Sequence, residues 1–314
     1  MRVLVAGGAG FVGSHLCDAL ISRGDEVVVV DNLSTGRREN IDHLLSVGAV
    51  AFVEHDVTAA LTGVPGLDGA FDAVLDLASP ASPGDFDTMP LEILAVGSTG
   101  TRNLLDVAEA HRARFLLAST SEVYGDPLEH PQTEQYHGNV DPVGPRSCYD
   151  EAKRFAEALT TAYGRVHDVE VRIARIFNTY GERMRPDDGR VLTNFVTQAL
   201  VGSPMTLYGD GSRTRSFCYV GDEVAGLLAV LDGDLEGPVN VGNPDEVTIR
   251  ELAELVRDLV GSTSEILSTP LPPERAGDPQ RRCPDISRIT GGLGWVPTTP
   301  LRVGLERMIG SMRS

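Results

Sequence analysis

Lysine is nearly missing from this chain of 314 residues, in which a single lysine, Lys153, accompanies 26 arginines. Basic residues of either kind are in the minority, because 45 acidic residues face 27 basic ones and leave a formal net charge of −18. A field of that sign repels nucleic acids and anionic membrane surfaces, so neither is expected as a partner. An anionic small molecule would need a local group of arginines or backbone N–H groups.

Cysteine is scarce and long apolar runs are missing. Cys17, Cys148, Cys218 and Cys283 form no C-x-x-C pattern, and the pattern H-E-x-x-H does not occur. Scattered cysteines of this kind are typical of reduced thiols and predict no metal site. The start of the chain lacks the pattern of a signal peptide, and no apolar run is long enough to cross a membrane. These absences predict a cytoplasmic protein without a membrane segment.

Short β-branched segments alternate with amphipathic segments through the first 180 residues. The strand candidates are RVLVAG, EVVVVD, VAFVEHDV, AVLDLAS, RFLLASTSEVYG and VEVRIARIFNTYG. The helix candidates between them include GFVGSHLCDALISRG, LEILAVGSTGTRNLLDVAEAH and CYDEAKRFAEALTTAYGRV. Regular alternation of this kind predicts an α/β fold built on a doubly wound parallel Rossmann sheet.

A glycine pattern, GGAGFVG, lies between the first strand and the first helix. Its glycines permit a tight turn, close approach of the backbone to a pyrophosphate, and close packing of the helix. The pyrophosphate of a dinucleotide then sits at the helix N-terminus. We therefore expect this loop to bind the cofactor through Gly7, Gly10, Phe11, Val12 and Gly13.

The end of the second strand carries Asp31, 18 residues after Gly13. A carboxylate at this place accepts hydrogen bonds from the ribose hydroxyls and repels a 2′-phosphate, which favours NAD over NADP. The other residues expected to contact NAD follow the second, third and fourth strands and are Asn32, Asp56, Val57, Leu77, Ala78 and Ser79.

The sequence changes character after residue 180, where loops rich in Gly, Pro and Arg surround short helices such as VLTNFVTQALVG and TIRELAELVRDLVG. PVNVGN is again a strand candidate, which predicts a smaller C-terminal α/β substrate domain interleaved with the first domain. The predicted NAD-binding domain comprises residues 1–178 plus about 217–243, and the substrate domain about 179–216 plus 244–314. Residues 208–217 and 270–285 show no periodicity, and long irregular segments like the latter are often functional.

Tyr149 and Lys153 are separated by one helical turn, so both side chains lie on one helix face. A free tyrosine, with a pKa of about 10, is a poor base at neutral pH. A nearby ammonium and the positive nicotinamide ring stabilise the phenolate, so we expect the pKa of Tyr149 to be lowered. Lysine suits this place better than arginine because its compact head can also donate to the nicotinamide ribose. Thr120, at the end of a strand, would complete a Thr–Tyr–Lys relay.

The chain resembles the extended short-chain dehydrogenase/reductase family through the glycine pattern, LASPAS, STSEVYG, the Tyr149–Lys153 pair and RIFNTYG. Within that family, four segments are similar to the UDP-glucuronate decarboxylases, which make UDP-xylose: residues 121–154, 174–200, 208–220 and 277–288. The chain departs from their pattern at GDFDTMP (84–90), at His137 in place of a common tryptophan, and at Cys283 in place of a usual lysine. These departures bear on substrate gating.

This resemblance implies an NAD-dependent enzyme that acts on UDP-glucuronate. The sugar would be oxidised at C4, would lose CO₂ as a 4-keto acid, and would be reduced again at C4. The implied catalytic residues are Tyr149 as base, Lys153 and Thr120 beside it, and Glu122 and Arg282 as donors or acids at the other sugar face. The family also implies a homodimer, formed by the helices around residues 92–111 and 148–165.

The substrate-binding residues expected from the resemblance follow the ends of several elements. Asn178 and Arg215 resemble residues that bind the diphosphate of the substrate. Arg190, Asn194 and Tyr208 resemble residues that surround its nucleotide base. Arg215 and Arg282 are favoured among 26 arginines because an anion in so acidic a protein needs fixed guanidinium partners. The full expected set is Ser121, Asn178, Arg190, Asn194, Tyr208, Arg215 and Arg282, with Arg183, Arg185, Arg213 and Arg281 as further candidates.

Three alternative functions stay open. In the dNDP-glucose 4,6-dehydratases the strand end reads Thr-Asp-Glu, and the aspartate protonates a departing hydroxyl. Ser121 stands at that place here and is a far poorer acid. UDP-glucuronate 4-epimerases share the proposed substrate. A member of another class, a non-catalytic NAD(H)-binding sensor, would typically lack the tyrosine or the lysine, and this chain has both.

Overall fold

The computed structural model describes residues 1–270 and 279–313. The strands are β1 (Arg2–Ala6), β2 (Glu26–Asp31), β3 (Val50–Glu54), β4 (Ala73–Asp76), β5 (Arg114–Thr120), β6 (Val171–Ile176), β7 (Thr179–Tyr180), β8 (Met205–Tyr208), β9 (Thr214–Ser216), β10 (Cys218–Tyr219), β11 (Pro238–Val241), β12 (Glu246–Thr248), β13 (Ile266–Thr269) and β14 (Arg281–Arg282). The helices are α1 (Phe11–Ser22), α2 (Asp42–Ser46), α3 (Pro83–Thr88), α4 (Pro90–Ala95), α5 (Thr101–His111), α6 (Ser147–His167), α7 (Val191–Leu200), α8 (Val220–Asp232), α9 (Ile249–Val260), α10 (Ser287–Leu293) and α11 (Leu301–Arg313).

Seven strands form one sheet in the order β11-β6-β5-β4-β1-β2-β3, and every neighbouring pair is parallel. This arrangement confirms the predicted doubly wound α/β fold. The strand order reverses between β1 and β4, and in open α/β sheets ligands bind at such a crevice beyond the carboxyl ends of the strands.

Helices cover both faces of the large sheet, which explains why its strands are continuous apolar runs rather than alternating ones. Successive side chains of a strand point to opposite faces. Val3 and Val5 of β1 therefore enter the core that α1 and α8 share, whereas Leu4 enters the core beneath α5 and α6.

A third core lies among the later elements and includes Phe195, Leu207, Leu252 and Met308. Among the described residues, three small sheets accompany it: β7 with β10, β8 with β13, and β9 between β12 and β14. The boundaries of the two domains stay a prediction.

Two segments that the sequence predicted to be irregular contain short strands. β9 lies within 208–217 and β14 within 270–285, and Arg282 is in register with Arg215 across this pair. Strands of two or three residues are too short to show a period of two, so only pairing with neighbours defines them. Residues 271–278 of the second segment lie outside the described residues.

The predicted helix over 91–111 is interrupted by a π-helical turn, Val96–Gly100, between α4 and α5. A Cβ atom on Gly97 would lie 2.8 Å from the Cβ of Ala152, so glycine allows this turn to approach α6 closely. The turn thereby fixes the position of the helix that carries Tyr149. Within the described residues, no helix is both long and apolar enough to cross a membrane.

The sheet core makes a stability prediction. Replacing the fully buried Leu75 of β4 by alanine leaves a cavity and is expected to lower the free energy of unfolding by about 2–5 kcal/mol. The matched control is Leu128→Ala, whose side chain is 81% exposed and whose loss should cost less than about 0.5 kcal/mol. Urea denaturation of both variants is the measurement, and equal effects would contradict the proposed core.

Candidate active site

The glycine loop leaves no room for side chains. Gly7 has φ +77, and a Cβ on it would lie 2.7 Å from the carbonyl oxygen of Leu77. A Cβ on Gly13 would lie 2.2 Å from the carbonyl oxygen of Gly7. The helix α1 then begins at Phe11, with Gly10 as an N-cap that offers no side chain. Backbone N–H groups at this end are therefore available to an anion such as a pyrophosphate.

Asp31 connects the end of β2 to the glycine loop. Its buried carboxylate accepts backbone hydrogen bonds from Ala9 at 3.0 Å and from Leu33 at 2.9 Å. Burial raises the pKa of this carboxyl above its ordinary value. Gly36, which the sequence analysis did not identify, lies so close that a Cβ on it would be 2.9 Å from the Asp31 carboxylate oxygens.

Two adjoining pockets contain all the residues predicted to bind NAD. Of the predicted residues, Gly7, Gly10, Leu77 and Ser79 line both pockets. The first pocket adds Phe11, Val12, Gly13, Tyr149 and Lys153, and the second adds Asp31, Asn32, Asp56, Val57 and Ala78. In the second pocket the Asn32 amide donates to the Asp56 carboxylate at 3.0 Å. The residues present thus fit a dinucleotide that lies across the crevice from an adenosine end to a nicotinamide end.

Tyr149 and Lys153 lie one turn apart on α6 and are both buried. The Lys153 ammonium donates to the carbonyl oxygen of Ala118 in β5 at 2.9 Å and lies 6.0 Å from the centre of the Tyr149 ring. Burial lowers the pKa of Lys153, while the charges of Asp76 and Glu157 oppose that shift.

The expected lowering of the tyrosine pKa does not arise from the protein groups. Burial, together with the negative charge of Glu122, raises the pKa of Tyr149 to about 12, although a hydrogen bond with Thr120 opposes the shift. Burial disfavours the phenolate. The lowering expected once the positive nicotinamide ring is bound stays a prediction.

The sequence analysis did not identify Phe86, although this residue lies in segment 84–90, where the chain departs from the family pattern. Its ring stacks on that of Tyr149 with centroids 5.0 Å apart and planes 19° apart. The segment forms α3, whose N-cap Ser82 and third residue Asp85 make a capping box. Arg185 also donates to Asp85 at 3.0 Å. The departure from the family pattern thus builds one wall of the site.

A cluster of charges faces Tyr149 from the end of β5. Glu122 lies 2.6 Å from the Arg146 guanidinium and accepts a hydrogen bond from Arg282. Arg282, which is buried, also donates to the carbonyl oxygen of Gly125 at 3.1 Å. Burial alone would raise the pKa of Glu122, but the two guanidiniums outweigh it and hold the pKa at about 2. Glu122 is therefore an ionised carboxylate.

Arg146 and Asp150 complete this cluster and were not identified from the sequence. They lie one turn apart, at the same spacing as Tyr149 and Lys153, which is the signal that could have found them. Asp150 is buried, and burial together with the charge of Glu122 raises its pKa to about 7. The site thus holds one carboxylate that is firmly ionised and one that titrates near neutrality.

All the residues predicted to bind substrate line one cleft with Tyr149: Ser121, Asn178, Arg190, Asn194, Tyr208, Arg215 and Arg282. Thr120 and Glu122 line it too.

Backbone contacts fix several of these side chains. Arg215 donates to the carbonyl oxygen of Pro279 at 2.6 Å, and Arg190 to that of Ala81 at 2.8 Å. The Asn178 amide donates to the carbonyl oxygen of Ser216 at 3.3 Å.

The four further arginines divide into two groups. Arg183, Arg185 and Arg213 line the cleft, whereas Arg281 is not among its described lining residues and lies 3.5 Å from Glu246. Adjacent residues of a strand point to opposite sides, so Arg281 faces away when Arg282 faces the cleft.

Comparison with known proteins identifies the family. The model of the NAD dependent epimerase/dehydratase family matches residues 3–242. UDP-glucuronic acid decarboxylase 1 of Arabidopsis thaliana is 52% identical over 314 residues, which cover all of this chain and 70% of the relative. UDP-glucuronic acid decarboxylase 1 of Danio rerio is 50% identical, with 98% of this chain and 72% of the relative covered.

Solved structures show the same fold. UDP-glucose 4-epimerase of Thermotoga maritima with UDP-glucose has a TM-score of 0.90 at 28% identity, covering 100% of this chain and 99% of that one. UDP-glucose 4-epimerase of Thermus thermophilus with NAD has a TM-score of 0.85 at 31% identity, with the same coverage. The chain belongs to the NAD-dependent epimerase/dehydratase family and, within it, is related over its full length to the UDP-glucuronic acid decarboxylases.

Proposed function

We propose that this protein is an NAD-dependent UDP-glucuronate decarboxylase that converts UDP-glucuronate to UDP-xylose and CO₂. The observation that carries the proposal is that one cleft contains two sets of side chains suited to different chemical steps. One is the Tyr149–Lys153 pair, and the other is the ionised Glu122 between two guanidiniums. The first suits proton transfer at a sugar hydroxyl, and the second suits a substrate that carries a carboxylate and passes through an enolate.

NAD is the cofactor, and the glycine loop, Asp31 and the residues of the second pocket would hold it. The chemistry that NAD supplies when bound is removal of a hydride from C4 of the sugar and its return after CO₂ is lost. The chain has to place C4 roughly 3–3.5 Å from the nicotinamide, since catalysis here depends on position. The stacked rings of Phe86 and Tyr149 restrict the movement of the tyrosine on that side.

Tyr149 is the proposed base at the 4-hydroxyl. As a phenolate, its oxygen takes the proton of that hydroxyl as C4 becomes a ketone, and the phenol so formed returns the proton when C4 is reduced again. The Lys153 ammonium and the hydroxyl of Thr120 stabilise the phenolate. Burial and Glu122 raise the pKa of Tyr149 when the protein acts alone, so forming the phenolate would need the positive nicotinamide ring of bound NAD in addition to Lys153.

Decarboxylation follows from the ketone. The C6 carboxylate is then part of a β-keto acid: the C5–C6 bond breaks, CO₂ leaves, and the electron pair enters an enolate over C5, C4 and the C4 oxygen. Arg282 donates to the negative charge that forms, which is the largest kind of catalytic contribution in such sites.

Glu122 is proposed to deliver the proton that C5 then needs, which it has first to take up from solvent when the substrate binds, because it is ionised in the free protein. The substrate carboxylate competes for Arg282, and its like charge raises the pKa of the glutamate.

Ser121 favours this reaction over the dehydratase alternative because a serine hydroxyl is a poor acid for a departing hydroxyl group. The non-catalytic sensor is disfavoured by the intact Tyr149–Lys153 pair. The 4-epimerase reaction requires the ketone to turn over in the site. The Arg146–Glu122–Arg282 cluster could hold the substrate carboxylate in either reaction. Decarboxylation is favoured instead by the 52% and 50% identity of this chain to UDP-glucuronic acid decarboxylases.

We also propose that the chain forms a homodimer through α4, α5 and α6. The exposed apolar side chains Leu94 and Phe155, on α4 and α6, support this interface, since they are 40% and 52% exposed. Apolar patches of this kind often mark a protein–protein contact. The cytoplasmic location expected from the sequence stays a prediction.

Product analysis tests the reaction directly. Proton NMR of the purified protein with UDP-glucuronate and NAD is expected to show UDP-xylose and release of CO₂. Formation of UDP-galacturonate would instead establish the epimerase. A 4-keto-6-deoxy product from dTDP-glucose, without reaction of UDP-glucuronate, would establish the dehydratase.

Tyr149→Phe removes the proposed base. We expect turnover to fall roughly 10²–10⁴-fold while NAD binding is kept, because only the phenolic oxygen is lost. Tyr163→Phe is the matched control, since Tyr163 lies on the same helix and its hydroxyl donates to Asp106. Turnover and NAD affinity measured on both variants decide the matter. Unchanged turnover in Tyr149→Phe would overturn the assignment.

Glu122→Gln keeps the shape of the side chain but removes its charge and its capacity to accept and deliver a proton. Turnover is expected to fall roughly 10²–10⁴-fold, with reduced NAD accumulating because oxidation at C4 precedes the blocked step. The absorbance of NADH during a single turnover is the measurement. Glu151→Gln, at a partly exposed position of α6, is the control. Loss of the initial oxidation as well would assign Glu122 to another step.

Phe155→Glu places a charge in the proposed dimer interface. Light scattering coupled to size exclusion should give about twice 33.6 kDa for the unmodified protein and a monomer for this variant. Val201→Glu, at an exposed apolar position after α7, should leave the mass unchanged. A monomeric unmodified protein would refute the interface.

A further inference from the structure

Three side chains from distant parts of the chain meet outside the cleft. His130 follows the short helical turn that bears Glu122, Glu246 begins β12, and Cys283 follows β14. The His130 Nε2 atom lies 2.9 Å from an oxygen of Glu246, and the donor atoms of all three residues lie within 4.8 Å of one another. None of the three is among the described residues that line the cleft.

We propose that His130, Glu246 and Cys283 form a binding site for one divalent transition-metal ion of the Zn²⁺ type. Imidazole nitrogen, carboxylate oxygen and thiolate sulfur are the ligands that Zn²⁺ takes in proteins. Bonds of about 2.0–2.3 Å place two donors on one ion at most ~4.5 Å apart, so small side-chain rotations bring these three into range. Three protein ligands leave a fourth position to water.

Hydrogen bonds hold the ligands' backbone in place. The backbone N–H of Cys283 donates to the side-chain oxygen of Gln132 at 2.8 Å, and the Gln132 N–H donates to the Cys283 carbonyl at 2.9 Å. The loop that carries His130 is therefore fixed to the segment that carries Cys283. Glu246 is oriented by the hydroxyl of Thr214, which donates to its other carboxylate oxygen at 2.5 Å. In established metal sites, residues that hydrogen-bond to the ligands orient them in this way.

The ion can enter from solvent, because the side chains of His130 and Glu246 are 23% and 22% exposed. Cys283 is buried beneath them. Burial, with the charge of Glu246 added, raises the pKa of its thiol to about 12, so binding would displace a thiol proton. The other charged groups near the thiol are Arg281, Asp245 and Asp285.

Arg281 is the group that competes with an ion. Its guanidinium lies 3.5 Å from Glu246, but the side chain is 57% exposed and can swing into solvent. Arg282, the neighbour of Cys283, belongs to the catalytic cluster. An ion on Cys283 would therefore tie β14 to β12 and to the loop after Glu122.

Titration of the full-length, NAD-loaded protein with Co²⁺ under reducing conditions tests the site. We expect one equivalent to bind, with a thiolate-to-cobalt charge-transfer band, and Zn²⁺ to displace it. Cys283→Ser should abolish the band and weaken Co²⁺ binding more than the roughly 10–100-fold cost of losing an outer-shell partner. Arg281→Gln should tighten binding, because a competing cation is removed.

His167→Gln is the matched control. His167 forms an exposed pair with Glu109 at 2.8 Å, but among the described residues no cysteine joins this pair in a group of metal donors. This variant should bind Co²⁺ like the unmodified protein. No binding by the unmodified protein, or an unchanged band in Cys283→Ser, would overturn the proposal, as would loss of the band in His167→Gln.

Discussion

The ion pairs of Glu122 with Arg146 and Arg282 are the constraint on which the catalytic cleft depends. They join the end of β5, the start of α6 and β14, three elements that are remote in sequence. A buried carboxylate is costly unless it is paired and hydrogen-bonded, so these contacts have to form together. Burial raises the pKa of both Tyr149 and Asp150, and the charge of Glu122 adds to both shifts, while Arg146 and Arg282 oppose the shift of Asp150. The cluster thereby contributes to the protonation of two neighbouring groups.

The parallel sheet determines where that cluster meets the cofactor site. The carboxyl ends of β1, β2 and β4 provide the glycine loop, Asp31 and the segment 77–79, while the adjacent β5 ends in Thr120 and Glu122. Lys153 fastens α6 to β5 through the carbonyl of Ala118. The approach of the π-helical turn at Gly97 fixes α6 from its other side. Oxidation at C4 and decarboxylation can occur in one cleft because the cofactor-binding residues and the charged cluster follow adjacent strands.

The structure shows what surrounds two of the positions at which this chain departs from the family pattern. GDFDTMP becomes a capped helix whose Phe86 stacks on Tyr149. Cys283 replaces an ammonium by a thiol beside His130 and Glu246, and this exchange creates a set of metal donors. Its spacing in the sequence predicted no metal site, because the ligands lie in segments that only the fold brings together.

The sequence by itself determined the features that depend on local geometry. Strand and helix alternation predicted the sheet, the glycine spacing predicted the loop, and the four-residue step placed Tyr149 and Lys153 on one helix face. The tertiary structure decided what depends on distance and burial. It paired Glu122 with Arg282, 160 residues further along the chain, and turned Arg281 away from the cleft. It also decided that the protein groups alone raise the pKa of Tyr149, because the desolvation of a buried group is a property of everything packed around it.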